Sequence, residues 1–249
     1  MADSNRRADA GPADRKGMIL TGGTSNAAAI DPKHVLIIGA GPGLGAAVAR
    51  RYAEEGFRIT LVARHEDSLA ALAGDLRASG ANIDTVLADA ADQEEFRLRL
   101  QAIAQIDAPG IVVYNAALIA RDSILAADAE YLMAGYNVDV LGAITAAQVL
   151  TPAMAQARNG TFLTTNSWLS HYPQPAHATL SIGKTALRAV THLLHDELAR
   201  QNVHVTGVTI AGDIADGTAF APELIAEAYW RLHSQPASEW SPEAVFDGT

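Results

Sequence analysis

The stretch HVLIIGAGPGLGAAVARR (34–51) joins a short apolar run, a glycine-rich loop and an alanine-rich helical pattern. The run HVLIIG predicts a buried strand, because near-continuous apolar strands are typical of parallel sheets that are covered on both faces. The following LGAAVARRYAEEG (44–56) predicts a helix with Gly56 as its C-terminal cap. This segment therefore predicts a strand, a glycine turn and a helix in direct succession.

The same alternation continues along the rest of the chain. Further strand-like runs precede helical stretches, and they read RITLVA, IDTVLAD, GIVVYNAA, GTFLTTNS and VHVTGVTI. Six β-α pairs with right-handed crossovers predict a doubly wound parallel α/β sheet of the Rossmann type, with helices on both faces. EAVFDG near the end of the chain adds a seventh strand at the edge.

The pattern starts at His34, so a single domain is expected over residues 34–249. Residues 1–33 are rich in Ala, Gly, Asp and Ser without a sustained period, and they are expected to form a flexible leader. MILTGGTSN (18–26) looks like a strand that enters a glycine turn. Its apolar run is three residues long and no amphipathic helix follows, which disfavours a phosphate loop there.

Composition limits the possible partners. The formal net charge of −10 gives no general basic field, so neither nucleic acid nor an anionic membrane is expected as a partner. The chain has no cysteine and therefore no thiol nucleophile or thiolate metal site, which suits a cytoplasmic location. No apolar run approaches the ~18 residues of a membrane span. His192 and His195 can share a helix face, but a solvated face is favoured over a metal site.

The loop GAGPGLG (39–45) is suited to a phosphate group. Glycines let the amides at a helix N-terminus approach a pyrophosphate, where the helix dipole favours negative charge. GxGxxG spacing from Gly39 fails at Leu44, whereas GxxxGxG fits at Gly39, Gly43 and Gly45. Such a loop can also serve a tight turn alone. Its place between a strand and a helix favours a dinucleotide site.

The end of the second strand, LVARHED, bears on the choice of dinucleotide. A carboxylate there accepts hydrogen bonds from an adenosine ribose hydroxyl, whereas an arginine attracts a 2′-phosphate. Ala63 leaves the acidic position empty, and Arg64 and His65 supply cationic candidates. The pattern favours NADP(H) over NAD(H). A solvated loop charge at Arg64 is the alternative.

From His34 to Gly248 the chain resembles the short-chain dehydrogenase/reductase family. GAGPGLG is similar to the family's TGxxxGxG loop, and YNAA (114–117) matches its NNAG motif at Asn115 and Ala116. LAD, which ends at Asp89, resembles the acidic residue that meets the adenine. The resemblance, with the loop and strand-end residues above, implies cofactor contacts at Gly39, Gly43, Leu44, Gly45, Arg64, Asp89, Asn115, Lys184 and Gly212.

The resemblance also implies an active site. Asn137 of YNVDVLG, Ser167 of TTNSW and Lys184 of LSIGK stand at the family's catalytic asparagine, serine and lysine. In the family a tyrosine four residues before the lysine protonates the alkoxide, and the lysine also bonds the nicotinamide ribose. Here Leu180 replaces that tyrosine, and Gly183 replaces the serine that usually precedes the lysine. The resemblance implies retained cofactor binding without the usual proton donor.

Two side chains are candidates for a substitute donor. His177 lies one helical turn before Leu180, and an imidazole with a pKa near ~6.5 can exchange protons at neutral pH. Tyr172, in the loop SHYPQPAH, can fold over the same place. An exposed histidine in the first turn is the alternative for His177, and Ser167 with solvent is the alternative to both.

The expected function is NADPH-preferring hydride transfer between a carbonyl and an alcohol, with a non-standard proton donor and no metal. Two alternatives stay open: a lyase, isomerase or cyclase on the same fold, and a dinucleotide-sensing protein without catalysis. Residues 213–240 are expected to form a substrate lid, in which Phe220, Tyr229 and Trp230 line an apolar pocket. The alternative is that Leu224, Ile225 and Trp230 pack this segment onto the core. Family analogy suggests a small-molecule substrate and a homodimer or homotetramer.

Overall fold

The computed structural model describes residues 29–249. The strands are β1 (Ile30–Ile38), β2 (Arg58–Ala63), β3 (Ile83–Leu87), β4 (Ala108–Tyr114), β5 (Thr161–Ser167), β6 (His204–Ile210) and β7 (Glu243–Phe246). The helices are α1 (Leu44–Glu54), α2 (Glu66–Ala78), α3 (Gln93–Asp107), α4 (Ala129–Tyr136), α5 (Gly142–Ala157), α6 (Ala178–Leu198) and α7 (Pro222–His233). A π-helical turn, Asn137–Leu141, joins α4 to α5.

The strands form one seven-stranded sheet in the order β3-β2-β1-β4-β5-β6-β7, and every pair is parallel. The predicted doubly wound α/β fold is confirmed, including the edge strand β7. The winding reverses between β1 and β4, because β2 and β3 lie on one side of β1 and the later strands on the other. A crevice for a ligand is expected at the carboxyl ends of these strands.

Helices cover both faces of the sheet. Successive residues of β1 point to opposite faces of the sheet, and both faces are covered, which explains the continuous apolar run. Val35 and Ile37 pack against the layer of α1, α2 and α7. Leu36 and Ile38 pack against the layer that contains α3, α5 and α6. All four side chains are buried, as expected for a central parallel strand.

The first strand begins before the predicted domain start. β1 starts at Ile30, four residues ahead of His34, and Ile30 and Asp31 pair with Ala108 and Pro109 of β4. A register shift follows between Asp31 and Val35. This irregularity interrupts the strand period, which explains why the sequence pattern does not reveal its first residues. The stretch MILTGGTSN and the rest of residues 1–28 lie outside the described residues.

The run of α4, the π-helical turn and α5 is the most apolar helical segment that the structure describes. By length and hydropathy alone, Ala129–Ala157 could cross a membrane, with a mean hydropathy of 1.4 in its most apolar window. In the fold 61% of that window is buried, and α5 packs against α3 and β4. Packing within the domain therefore accounts for the apolar composition.

The segment that the sequence assigns to a lid contains α7, and α7 packs on α1. Tyr229 is fully buried, and the Trp230 ring lies edge-on to Tyr52 at 5.6 Å. Glu227 accepts a hydrogen bond from Arg51 at 2.6 Å. Of the two alternatives for Tyr229 and Trp230, the structure shows packing on the core.

Candidate functional site

The glycine loop combines close packing with open space. Gly39 has φ +86°, and a Cβ there would collide with the backbone of Ala116. A Cβ at Gly45 would lie 3.0 Å from the backbone of Ala40. At Gly41 and Gly43, in contrast, a Cβ would meet nothing within 4 Å. Gly39 and Gly45 are therefore required by the close packing of the turn, whereas Gly41 and Gly43 leave space for a ligand beside it.

The start of α1 fits an anionic group. Gly43 is its N-cap residue, and no side chain caps the helix. The first turn contains no acidic residue that would repel a phosphate. Since amides at a helix N-terminus attract anions, this loop has the properties that a pyrophosphate requires.

A cleft of about 310 Å³ opens beside this loop. It lies at the carboxyl ends of β1, β2 and β4, where the winding of the sheet reverses. Its polar lining includes the glycine loop and five further residues, Arg64, His65, Ser68, Asp89 and Asn115. Its apolar lining includes Ala63, Ala88, Phe96, Ala117, Ile119 and Val138.

Arg64 and His65, which follow β2, line this cleft. Arg64 and His65 are exposed, and Arg64 Nε lies 3.1 Å from His65 Nε2. Ala63 supplies no carboxylate to the lining. The Asp89 carboxylate accepts a hydrogen bond from the Ala91 amide at 2.9 Å, which shapes the turn after β3. The end of β2 therefore presents positive charge, and the end of β3 presents a fixed carboxylate.

Asn115 supports the glycine loop from behind. Its Nδ2 donates to the Gly39 carbonyl at 2.9 Å, and its Oδ1 accepts from Thr165 Oγ1 at 2.8 Å. This side chain links β1 to β5 through the end of β4. Two other predicted cofactor residues have packing contacts: Leu44 is buried in α1, and a Cβ at Gly212 would collide with the Phe220 ring.

Ser167 is the last residue of β5, and Lys184 of α6 bonds to the backbone of the same strand. Ser167 is half-buried, and its Oγ accepts a hydrogen bond from the Leu169 amide at 3.3 Å. Lys184 on α6 is 4% exposed, and its Nζ donates to the Thr165 carbonyl at 2.8 Å. Burial lowers the pKa of Lys184, while the charge of Asp139 opposes this shift.

Asp139, two residues after Asn137, is the carboxylate whose charge acts on Lys184. The sequence comparison assigned Asn137 to the active site, but two residues along a helix turn a side chain to nearly the opposite side. The backbone carbonyl of Asn137 accepts a hydrogen bond from Gln93 of α3. Asp139 is fully buried, and its Oδ1 accepts from the Leu118 amide at 2.9 Å. The role of Asn137 stays a prediction, and Asp139 is a further buried polar residue of this region that sequence reasoning did not name.

Leu180 occupies the expected place of the tyrosine and is buried on α6 at 7% exposure. His177 precedes α6 and is half-buried, with Nδ1 at 2.9 Å from the Ala120 carbonyl. This bond assigns the proton on Nδ1 in the neutral ring and leaves Nε2 as the basic nitrogen. Tyr172 is 61% exposed, and its ring lies 5.1 Å from that of Trp168.

Sequence reasoning missed two residues that act on Lys184: Thr165 binds its ammonium through the backbone carbonyl, and Asp139 acts through its charge. The Thr165 contact uses a backbone carbonyl, so the residue type carries no signal for it. Asp139 did carry a signal, because a carboxylate stands between Val138 and Val140 in an apolar helical run. A charge that is buried in this way is rare unless another group compensates it.

Comparison with known proteins identifies the family of most of the domain. The family model for short chain dehydrogenases matches residues 33–221. An uncharacterized oxidoreductase of Staphylococcus saprophyticus is 27% identical over 223 residues, which cover 84% of this chain and 94% of that protein. A very-long-chain 3-oxoacyl-CoA reductase of Podospora anserina is 31% identical over 176 residues, which cover 68% of this chain and 52% of the reductase.

Solved structures agree with the sequence match. A short-chain dehydrogenase from Rhodopseudomonas palustris has a TM-score of 0.77 at 25% identity, covering 86% of this chain and 97% of that one. The L-sorbose reductase from Gluconobacter frateurii, solved with NADPH and L-sorbose, has a TM-score of 0.80 at 24% identity, covering 88% and 97%. Since the family model matches well over half of its residues, this chain belongs to the short-chain dehydrogenase family.

Proposed function

We propose that this protein is a NAD(P)-dependent oxidoreductase that interconverts a carbonyl and an alcohol with a proton donor other than tyrosine. The observation that carries the proposal is a series of hydrogen bonds that connects Lys184 to the glycine loop. Lys184 donates to the Thr165 carbonyl, the Thr165 hydroxyl donates to Asn115, and Asn115 donates to the Gly39 carbonyl. The dinucleotide, when bound, supplies or accepts the hydride. The names of the oxidoreductase and reductase relatives support the same reaction class.

Lys184 has the chemistry to hold a ribose. An ammonium group has three donors, and within the described residues one of them is used by the Thr165 carbonyl. The others remain for hydroxyl groups of a ligand. Ser167 is half-buried at the same strand end, and its hydroxyl can donate to a carbonyl oxygen and orient it for reduction.

NADP(H) is the proposed dinucleotide. Arg64, His65 and Ser68 line the cleft beside the end of β2 and offer donors to a 2′-phosphate. With alanine at position 63, no carboxylate of this strand end repels that phosphate. The NADPH complex of the L-sorbose reductase, which shares the fold, is consistent with this assignment.

His177 is the proposed proton donor. Its Nδ1 is fixed by the Ala120 carbonyl, so Nε2 takes up and releases the exchangeable proton. The residue lies about one turn before Leu180, at the start of the same helix. Tyr172 is the weaker candidate, because its exposed ring packs on Trp168. In the reduction, the imidazolium Nε2 would give its proton to the alkoxide oxygen as the hydride reaches carbon.

Leu180 supports one alternative function. Its side chain is buried and has no proton to give. The glycine loop and Lys184, which suit a dinucleotide, are both present. A protein that binds a dinucleotide as a signal and catalyses no redox step fits these observations as well.

The test combines nucleotide binding with isotope transfer. Binding of NADPH and NADH is measured by fluorescence, and deuterium is then followed from 4-deuterated NADPH into the products of a carbonyl panel. We expect transfer in the wild type and a loss of about 10²- to 10⁴-fold in His177→Ala. His192→Ala, which changes a histidine farther along α6, serves as the matched control.

Each outcome separates the hypotheses. Undiminished transfer in His177→Ala contradicts the role of the histidine. Tight binding with no transfer favours the sensing protein. Failure to bind either nucleotide contradicts the oxidoreductase.

A further inference from the structure

Asp139 is a buried carboxylate within the candidate active site. Its side chain lies in the π-helical turn between α4 and α5 and is inaccessible to solvent. Oδ1 accepts from the Leu118 amide at 2.9 Å. Oδ2 is also buried, and it has no hydrogen-bond partner among residues 29–249. A buried carboxylate oxygen without a hydrogen bond is costly, so a nearby positive charge is needed to compensate it.

Gly183 gives this carboxylate its space. A Cβ at position 183 would collide with Oδ2, Cγ and Cβ of Asp139. The aspartate therefore packs directly against the backbone of α6, one residue before Lys184. Glycine at 183 and aspartate at 139 form a sterically matched pair, because a side chain at the first position would displace the second.

Lys184 is the cation whose charge acts on this carboxylate, without a direct hydrogen bond between the two side chains. Burial lowers the pKa of Lys184, and the charge of Asp139 opposes that shift. Burial raises the pKa of Asp139 to about 6, against the opposing influence of Lys184 and the Leu118 amide. Above that pH the carboxylate is charged, so the ammonium has a buried counterion.

The other ionisable groups near this pair leave its charge balance unchanged. Tyr114 of β4 donates to the Val138 carbonyl, and burial raises its pKa well above its usual value, with the charges of Asp139 and Asp89 adding to the shift. Tyr114 therefore stays neutral at physiological pH. Asp89 lies at the end of β3 and lines the cleft.

We propose that Asp139 is a positioning residue of the dinucleotide site, whose buried carboxylate keeps Lys184 in its ammonium form beneath Thr165 and requires glycine at position 183. The proposal rests on the proposed function in one respect, namely that the ammonium form is the one that binds the ribose. Neutral lysine has one proton fewer and no charge for that ligand. Asp139 acts through Lys184 and touches no substrate.

The direct test is the titration of Lys184 in the full chain without nucleotide. The sequence contains three lysines, Lys16, Lys33 and Lys184, so ¹³C-lysine labelling gives three side-chain NMR signals, and Lys184→Arg identifies one of them. Loss of an opposite charge at close range shifts a pKa by about 1–3 units. We expect the Lys184 pKa to fall by this amount in Asp139→Asn. The exposed Glu130→Gln on α4 is the matched control and leaves it unchanged.

A second variant keeps the test decisive if Asp139→Asn does not fold. Gly183→Ala retains the aspartate, but its methyl group collides with the carboxylate and forces it away from α6. The Lys184 pKa is expected to fall in this variant as well. A Lys184 titration that is unchanged in the folded variants overturns the proposal.

Nucleotide binding then distinguishes the two proposals. In Asp139→Asn, affinity for NADPH should fall as pH rises through the lowered Lys184 pKa, while wild-type affinity stays constant over that range. A shifted Lys184 pKa with no nucleotide binding to any variant supports the charge pairing and contradicts the proposed function. If the wild type binds nucleotide and the Lys184 pKa is unshifted in Asp139→Asn, the result supports nucleotide binding and contradicts the charge pairing.

Discussion

At the scale of single residues, Leu180 separates two roles that one helix face usually combines. Lys184 is buried and bonded to the Thr165 carbonyl. Leu180, one turn earlier on α6, has no hydroxyl group. The rest of this face is also changed, because Gly183 accommodates the Asp139 carboxylate. The leucine is therefore part of a wider change in the site and is not an isolated loss.

Leu180→Tyr tests whether the remaining site is arranged for hydride transfer. The new hydroxyl would stand four residues before Lys184, where the ammonium lowers the pKa of a phenol. If a proton donor is the missing part, carbonyl reduction should rise by about 10²- to 10⁴-fold. Deuterium transfer from 4-deuterated NADPH measures the change.

Leu180→Phe is the control for this prediction. It adds an aromatic ring of nearly the same size without a hydroxyl, so it reports the cost of placing a ring at a buried position. Equal rates for the tyrosine and phenylalanine variants would show that the hydroxyl does not act as the donor.

The sequence predicted part of this site. Ser167 and Lys184 were predicted from the family resemblance. Ser167 ends β5, and Lys184 lies on the helix that follows, so both are held by the same strand and its crossover. Asp139 was overlooked because the side-chain direction depends on helix phase, and the π-helical turn changes that phase. Burial of Asp139 against Gly183 is a tertiary contact that no local pattern contains.

At the scale of elements, Glu243 fastens the edge strand β7 to the rest of the sheet. Its carboxylate accepts from Thr209 of β6 at 2.6 Å, from Arg188 of α6 at 2.8 Å and from His171 at 2.8 Å. The loop after β5, which carries His171, is thereby tied to β7 and α6. The stretch EAVFDG predicted the strand itself. The hydrogen bonds of Glu243 join segments that are distant in sequence, so no local pattern predicted them.

This network predicts an acid-dependent stability. Burial alone would raise the pKa of Glu243, but hydrogen bonds from Arg188, Thr209 and His171 outweigh it and hold the pKa at about 2, against an ordinary 4.5. A carboxylate with a lowered pKa stabilises the fold above its unfolded value and loses that effect as pH falls through the folded value. The contribution should thus disappear between pH 4.5 and 2.

Glu243→Gln measures that contribution. We expect the free energy of unfolding in urea to fall by on the order of 2 kcal/mol at pH 7. The difference from the wild type should shrink as the pH is lowered below 4.5. Glu239→Gln, at an exposed position close to β7, should have little effect at either pH. A difference that is independent of pH would mean that charge is not its cause.

At the scale of the whole molecule, the order of the strands positions the cleft. Because β1 lies between β2 and β4, three segments meet at the carboxyl ends of these strands. They are the glycine loop after β1, Arg64 after β2 and Asn115 after β4. The alternation of strands and helices predicted that the glycine loop and Arg64 follow neighbouring strands, whereas Asn115 was named from the family resemblance. The early start of β1 was not predictable in the same way, since the pairing of Ile30 with Ala108 is a long-range contact.

A ligand that binds this convergent cleft should stabilise the entire domain. Binding to the folded state alone adds about 2.7 kcal/mol at a free concentration of 100 Kd. NADPH should therefore raise the melting temperature, and at equal concentration it should raise it more than NADH does, because the end of β2 carries Arg64 and no carboxylate at position 63. Differential scanning fluorimetry with a concentration series measures both shifts.

Arg64→Ala should remove most of the advantage of NADPH while the smaller shift with NADH persists, since NADH has no 2′-phosphate for the guanidinium to bind. Arg200→Ala, an exposed arginine just beyond the C-terminal end of α6, removes the same charge without facing the cleft and should preserve the advantage. Equal shifts for the two nucleotides in the wild type would contradict the assignment of NADP(H). An equal loss in both arginine variants would mean that overall charge, and not the position of Arg64, sets the preference.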